Sequence, residues 1–257
     1  MTQAERRIYL IAALLKEQPQ YANIEIPPTE REQKILLRSL FNIRMPLPIG
    51  GVFLEVQDEY LQEEIRRKGI TDYHDLTPIE NKTYLWQGDI TMLRCGAIVN
   101  AANSQMLGCF CPNHGCIDNA IHTYAGVQLR AVCADIMNCQ GHEEKTGGAK
   151  ITPAFNLPCD YILHTVGPIV SGKLTPRDEA LLESCYTSCL RLAEENSIKS
   201  VAFCCISTGE FHFPNEKAAE IAVNATERYR EQNQSEIEVI FNVFKDADYQ
   251  IYRELFR

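Results

Sequence analysis

The stretch AIVNAAN, residues 97–103, decides how this chain is read. Residues 97–100 are a short apolar run, as expected of a strand covered on both faces. The run ends in Asn100-Ala101-Ala102-Asn103, so a polar turn follows a buried strand at once. Outward from it, residues 83–87, 161–166, 201–206 and 238–244 repeat the short apolar pattern. Helical patterns fill the intervals at 117–138, 177–196, 216–231 and 248–256. This alternation predicts an α/β domain of three layers, a sheet sandwiched between helices, over residues 81–257. Sheets of this kind bind ligands at the carboxyl ends of their strands.

Residues 1–80 read differently, as a helical extension. Residues 5–16 put Ile8, Ile11, Leu14 and Leu15 on one helical face. Pro27-Pro28 stops the chain, and Thr29 with Glu32 makes a capping box for a helix reaching Asn42. After Pro46 and Pro48, residues 58–68 form a third helical pattern, closed by Gly69.

The 257 residues are 45% hydrophobic and 23% charged, an ordinary globular balance that argues against disorder. The longest apolar runs, such as residues 10–15, fall far short of a membrane span. A net charge of −9 with no dense Lys/Arg cluster argues against a nucleic-acid partner. An anionic ligand would then be held by backbone N–H groups and helix dipoles. The eleven cysteines are an odd number with no export signal, and several sit in apolar runs, which points to a reducing cytoplasm.

Three polar turns stand just after predicted strands. They are Gly88-Asp89-Ile90-Thr91, Asn100-Ala101-Ala102-Asn103 and Ser207-Thr208-Gly209-Glu210-Phe211. Each alone is more often plain turn chemistry. The last leads through Pro214 into a helix, a setting in which backbone N–H groups can meet a phosphate.

Between the second turn and the next helix the chain reads GCFCPNHGC, residues 108–116. Cys109, His114 and Cys116 are a compact set of soft ligands suited to one tetrahedral Zn2+. Three protein ligands leave a fourth position open, as catalytic metals require. The spacing is not that of a zinc finger, and no H-E-x-x-H or deaminase pattern is present. By spacing alone the three residues could equally be independent core and surface groups. Cys111 could replace Cys109, or add a fourth ligand that would make the metal structural.

Taken in order, GDIT, AIVNAAN, IDNAIH (117–122), AKIT (149–152), HTVGP (164–168) and ISTGEFHFP (206–214) resemble the macrodomain family. That family has an ADP-ribose-binding α/β/α fold with a mixed central sheet. The likeness is to its zinc-containing class, whose members carry a helical N-terminal extension. The resemblance implies a zinc-dependent hydrolase that removes ADP-ribose from protein side chains. Asp89 would then accept a hydrogen bond from the adenine amino group, with Ile90 beside it. Ser207, Thr208, Gly209, Glu210 and Phe211 would cover the diphosphate, and Asn103 would contact the distal ribose and take part in catalysis. Asp118 matches the catalytic acid of hydrolytic macrodomains. The metal ligands would be Cys109, His114 and Cys116, standing where many hydrolytic members have glycines. Phe244 and Asp246 fall on the adenine side. The class is linked with sirtuin-like ADP-ribosyltransferases that modify a lipoyl-carrier protein, which suggests such a substrate. The rival readings are a non-catalytic ADP-ribose reader with a structural zinc, and a hydrolase of free derivatives such as O-acetyl-ADP-ribose. His122 is expected to orient Asp118 or, more simply, to pack with its ring hydrogen-bonded. His164 is expected to be a satisfied core histidine.

Overall fold

A computed structural model describes residues 1–21 and 23–257. Three helices open the chain: α1 (Gln3–Glu17), α2 (Glu30–Ile43) and α3 (Gly51–Lys68). Thr2 and Glu5 cap α1 reciprocally, side chain to backbone in both directions. The inward stripe of α1 runs through Arg7, Leu10, Ile11, Leu14 and Leu15. Ile8, expected on that stripe, is instead 43% exposed, because the stripe steps from Gln3 through Arg7 and Leu10 and leaves Ile8 outside it. Arg7 points inward without an orphaned charge, its Nε donating to Gln33 at 2.9 Å.

At the start of α2 only half of the expected capping box forms. Thr29 accepts the Glu32 N–H, but the Glu32 carboxylate takes the Thr29 hydroxyl at 2.6 Å. Helix α3 begins at Gly51, well before residue 58, because Phe53 and Val56 extend its buried face. It ends as expected at Gly69, whose φ of +92° needs a residue without Cβ.

The rest of the chain alternates: β1 (Thr71–Asp72), β2 (Thr83–Gln87), β3 (Leu93–Arg94), β4 (Ala97–Ala102), α4 (Ile117–Ala125), α5 (Val127–Gln140), β5 (Ala149–Pro153), β6 (Tyr161–Val166), α6 (Pro176–Glu195), β7 (Ser200–Phe203), α7 (Asn215–Asn233), β8 (Glu238–Val243) and α8 (Asp246–Leu255). The main sheet has the order β2-β8-β7-β4-β6-β5 and is parallel except for β5, which runs antiparallel to β6. The expected mixed sheet between helices is thus present, with the helical region before it. A separate short ribbon pairs β1 with β3.

Ala97, Ile98 and Val99 are wholly buried in mid-sheet, as their apolar run requires. Strand β7 stops at Phe203, short of residue 206, which frees the chain for the loop that follows. The helical pattern at 117–138 is two helices, broken at Gly126 with φ +101°. There the Gln57 side chain of α3 accepts the Val127 N–H at 2.9 Å. Two apolar cores result. One lies among α1, α2 and α3 and takes in Val127; the other fills the sheet and its helices. Among the described residues, no helix is long and apolar enough to cross a membrane.

Candidate metal centre and ligand cleft

The loop leaving β4 is shaped by its own asparagine. Asn103 accepts the N–H groups of Gln105 (3.1 Å) and Met106 (3.0 Å) and donates to the Gly108 carbonyl. Gly108 then turns with φ +79°, packed so tightly that a Cβ there would lie 2.7 Å from the His122 ring.

Beyond Gly108 the ligand atoms of Cys109, His114 and Cys116 lie within 4.8 Å of one another. The Cys109 Sγ to His114 Nδ1 separation is 3.6 Å. A tetrahedral zinc with Zn–S of about 2.3 Å and Zn–N of about 2.0 Å sets an S···N edge of about 3.5 Å. The donor set therefore fits zinc in both chemistry and spacing. Cys111 is exposed and outside the group; its carbonyl accepts the His114 N–H and helps close the loop. Cys116 also caps α4, its Sγ accepting the Asn119 N–H at 3.4 Å. Burial pushes its thiol up to about 12, against the opposing pull of that N–H. With Nδ1 facing the cysteines, His114 Nε2 faces Glu210 Oε1 at 3.6 Å.

Asp118 stands in the first turn of α4, buried, with Oδ1 accepting from Asn100 Nδ2 at 2.8 Å. Burial raises its carboxyl to about 6, while the Asn100 bond and the Arg130 charge pull the other way. Asn100 and His164 are register partners on β4 and β6. Asn100 Nδ2 meets His164 Nδ1 at 3.1 Å, and His164 Nε2 meets the Thr152 hydroxyl at 2.9 Å. One hydrogen-bonded run thus crosses the sheet from β5 to the acid. His164 is the satisfied core histidine expected, and burial lowers it to about 4. His122 differs from expectation. It is buried with its Nε2 3.6 Å from Asp118, yet neither ring nitrogen has a hydrogen-bond partner among the described residues. Packing under Gly108, not hydrogen bonding, fixes its ring.

The third turn follows β7. Ser207 has φ +65°, an uncommon conformation for a residue with a side chain, and its buried hydroxyl has no partner among the described residues. It presses on Gly167, where a Cβ would lie 2.0 Å from its Oγ. Thr208 anchors the turn through its hydroxyl to the Cys205 carbonyl at 3.0 Å. The N–H groups of Gly209, Glu210 and Phe211 donate to no acceptor among the described residues. A turn that leaves three donors free is a ready anion seat.

At the far end of the sheet, Asp89 Oδ1 accepts the Thr91 N–H (3.1 Å) and hydroxyl (2.6 Å). Its Oδ2 lies 3.6 Å from Lys68 Nζ of α3, and Ile90 beside it is buried. Phe244 is 75% exposed, and Asp246 accepts from Gln87 at 2.7 Å.

Sequence motifs give no reason to single out Arg38, Asn42, Asn119 and Arg130, all of which touch the Cys109–Cys116 loop or its flanks. Arg130 is buried, donates to the carbonyls of Leu107 (2.7 Å) and Phe41 (3.1 Å), and lies over the Phe110 ring. The available signal was Arg38 and Asn42 at helical i, i+4 spacing beside an apolar stripe.

A match to the family described as "Macro domain" spans residues 99–222. A protein named protein-ADP-ribose hydrolase from Treponema medium is 60% identical over 259 residues, covering 99% of each chain. One of the same name from Staphylococcus aureus (strain MSSA476) is 48% identical, covering 96% of this chain and 94% of that one. Among solved structures, the Trypanosoma brucei macrodomain in complex with ADP-ribose aligns at a TM-score of 0.66 and 27% identity, covering 90% of this chain and 97% of that one. A fold, a set of turns and an identity that agree over nearly the full length place this chain in the macrodomain family, beside proteins named protein-ADP-ribose hydrolase.

Proposed function

We propose that this protein is a zinc-dependent hydrolase that cleaves the bond between the distal ribose C1″ of ADP-ribose and a protein side chain. The observation that carries the activity is the full-length identity to protein-ADP-ribose hydrolases. The zinc reading is supported by Cys109, His114 and Cys116 converging beside Asp118. A zinc ion held there supplies Lewis acidity at the ribose end of the cleft.

In this reading the residues divide the ligand among them. Asp89 and Ile90 take the adenine, and the free N–H groups of the 207–211 turn take the diphosphate. Asn103 shapes the loop against the distal ribose. Asp118 receives one proton of the attacking water as its oxygen bonds to C1″. The bond from C1″ to the side chain breaks, and its electron pair leaves with the side-chain atom. Holding water and sugar in line lowers the barrier further, because the sugar gains positive charge as the bond stretches. Residues 1–80 form the extension and 81–257 the catalytic body. Eleven free cysteines support a reducing, cytoplasmic setting. A lipoyl-carrier substrate modified by a sirtuin-like transferase rests on the family likeness alone.

Release of ADP-ribose from a mono-ADP-ribosylated protein tests the reading. Chelation or Cys116→Ala is expected to stop release, and re-added zinc to restore it in the chelated wild type. Full release by zinc-free protein would remove the metal from the mechanism. Binding of ADP-ribose without release would make the protein a reader. Faster turnover of O-acetyl-ADP-ribose than of the modified protein would move the substrate to the small molecule.

A further inference from the structure

Helix α2 lies outside the sheet domain, yet it holds the metal loop by its backbone. Arg38 donates from Nη2 to the His114 carbonyl at 3.0 Å and to Asn119 Oδ1 at 2.8 Å, and from Nε to the same Oδ1 at 3.2 Å. Asn119 is fully buried, and its Nδ2 donates to the Cys111 carbonyl at 3.0 Å. Its own N–H is the one given to Cys116 Sγ. One asparagine therefore joins the guanidinium, the mid-loop backbone and a ligand sulfur. One turn further along α2, buried Asn42 accepts the Asn113 N–H at 2.9 Å and donates to Thr123 of α4 at 3.0 Å. Asn113 turns at φ +54°, a left-handed conformation that Asn adopts readily, and the Asn42 bond holds its N–H in that turn.

These contacts order the very segment between the first and second donors of the metal set. Without them, residues 110–113 would keep the Cys111 carbonyl to His114 N–H bond and the Arg130–Phe110 contact, but form a looser tether between Cys109 and His114. The planar guanidinium suits the task because it bridges a carbonyl and an amide oxygen in fixed geometry, which an ammonium cannot.

We propose that Arg38 is a positioning residue for the metal site, acting through Asn119 and the His114 carbonyl, with Asn42 as a second clamp on the same loop. The N-terminal extension is then part of the metal centre while contributing no ligand to it. This rests on the zinc reading above. Removing groups that orient metal ligands typically costs about 10- to 100-fold in metal affinity.

The test is zinc affinity of the full-length protein, measured by chelator competition, for wild type, Arg38→Met, Arg38→Lys, Asn42→Ala and the same-helix control Arg31→Met. Thermal melting of each metal-free protein is recorded alongside. Arg38→Met is expected to lose about 10-fold or more in zinc affinity. Arg38→Lys should lose part of that and Arg31→Met none. The metal-free Arg38 variants are expected to melt lower than wild type yet remain folded at the assay temperature, since Asn119 Oδ1 and the His114 carbonyl lose their donors. Cobalt substituted for zinc should give a displaced visible band in Arg38→Met, a change that a purely structural role would not produce. Should Arg38→Met fail to fold, Arg38→Lys and Asn42→Ala carry the same comparison. Equal zinc affinity in wild type and the Arg38 variants overturns this inference alone. A wild type that takes up no zinc overturns the metal reading, and this inference with it.

Discussion

Asp118 and His164 belong to one buried run, joined by Asn100, and burial moves them in opposite directions. His164 is lowered from 6.5 to about 4, so the stability it contributes is present above pH 6.5 and is lost as pH falls through about 4. Asp118, raised to about 6, works oppositely, its share being lost as pH rises through that value. His164→Gln is therefore expected to flatten the decline in unfolding free energy from pH 6.5 to 4, by at most about 3 kcal/mol over the window. Urea titrations at several pH values check this, and an unchanged slope would refute it. Asp118→Asn tests the same run for chemistry. It should lower the release of ADP-ribose by about 100-fold or more while leaving ADP-ribose binding measurable by calorimetry. At this scale the sequence was informative where chemistry is local. Cys109, His114 and Cys116 stand close in the chain, but spacing alone left them evenly balanced between ligands and independent residues. The family likeness chose them over Cys111, and their donor atoms do converge. Asn100 and His164 do not announce their pairing, because it depends on the register of β4 against β6. Neither ring nitrogen of His122 has a hydrogen-bond partner among the described residues, which no spacing encodes.

Among the elements, the loop between β4 and α4 carries the strictest requirement. Gly108→Ala would place a methyl 2.7 Å from a buried imidazole at φ +79°. The left-handed backbone alone costs about 1–2 kcal/mol. The variant is expected to lose stability and zinc together, read by melting temperature and chelator competition; a variant with both intact would show that the loop tolerates a wider turn. Gly115→Ala, with open space around its missing Cβ, is the matching control. Central strands were legible because burial on both faces leaves continuous apolar runs, as at residues 97–100 and 161–166. Strand β5 was missed because an antiparallel edge strand has one neighbour and carries Lys150 and Thr152 among its few apolar residues. The break between α4 and α5 was hidden because both halves keep helical spacing and only Gly126 marks the turn.

The extension touches the body at two places, Asp89 and the Cys109–Cys116 loop, and this sets how the whole molecule should respond to damage. Lys68 of α3 reaches Asp89, while α2 holds the Cys109–Cys116 loop. Between them buried Arg130 ties the Phe41 and Arg44 carbonyls of α2's end to Leu107. Arg130→Met would leave those carbonyls without donors, so a loss of about 2–4 kcal/mol is expected in chemical denaturation. A change under about 0.5 kcal/mol would mean the two parts hold together without it. None of this was legible from residues 1–80 alone, whose charged and amide groups look like an ordinary solvated face. What Arg38 and Asn119 hold is peptide oxygen, at His114 and Cys111, and every residue type brings one. The holder is therefore indifferent to what the loop displays at positions 109 and 114. On the proposed zinc reading, those two side chains would be an exchangeable insert in a socket of peptide oxygens, and replacing the soft donors would be expected to turn the site toward a harder ion without redrawing the loop.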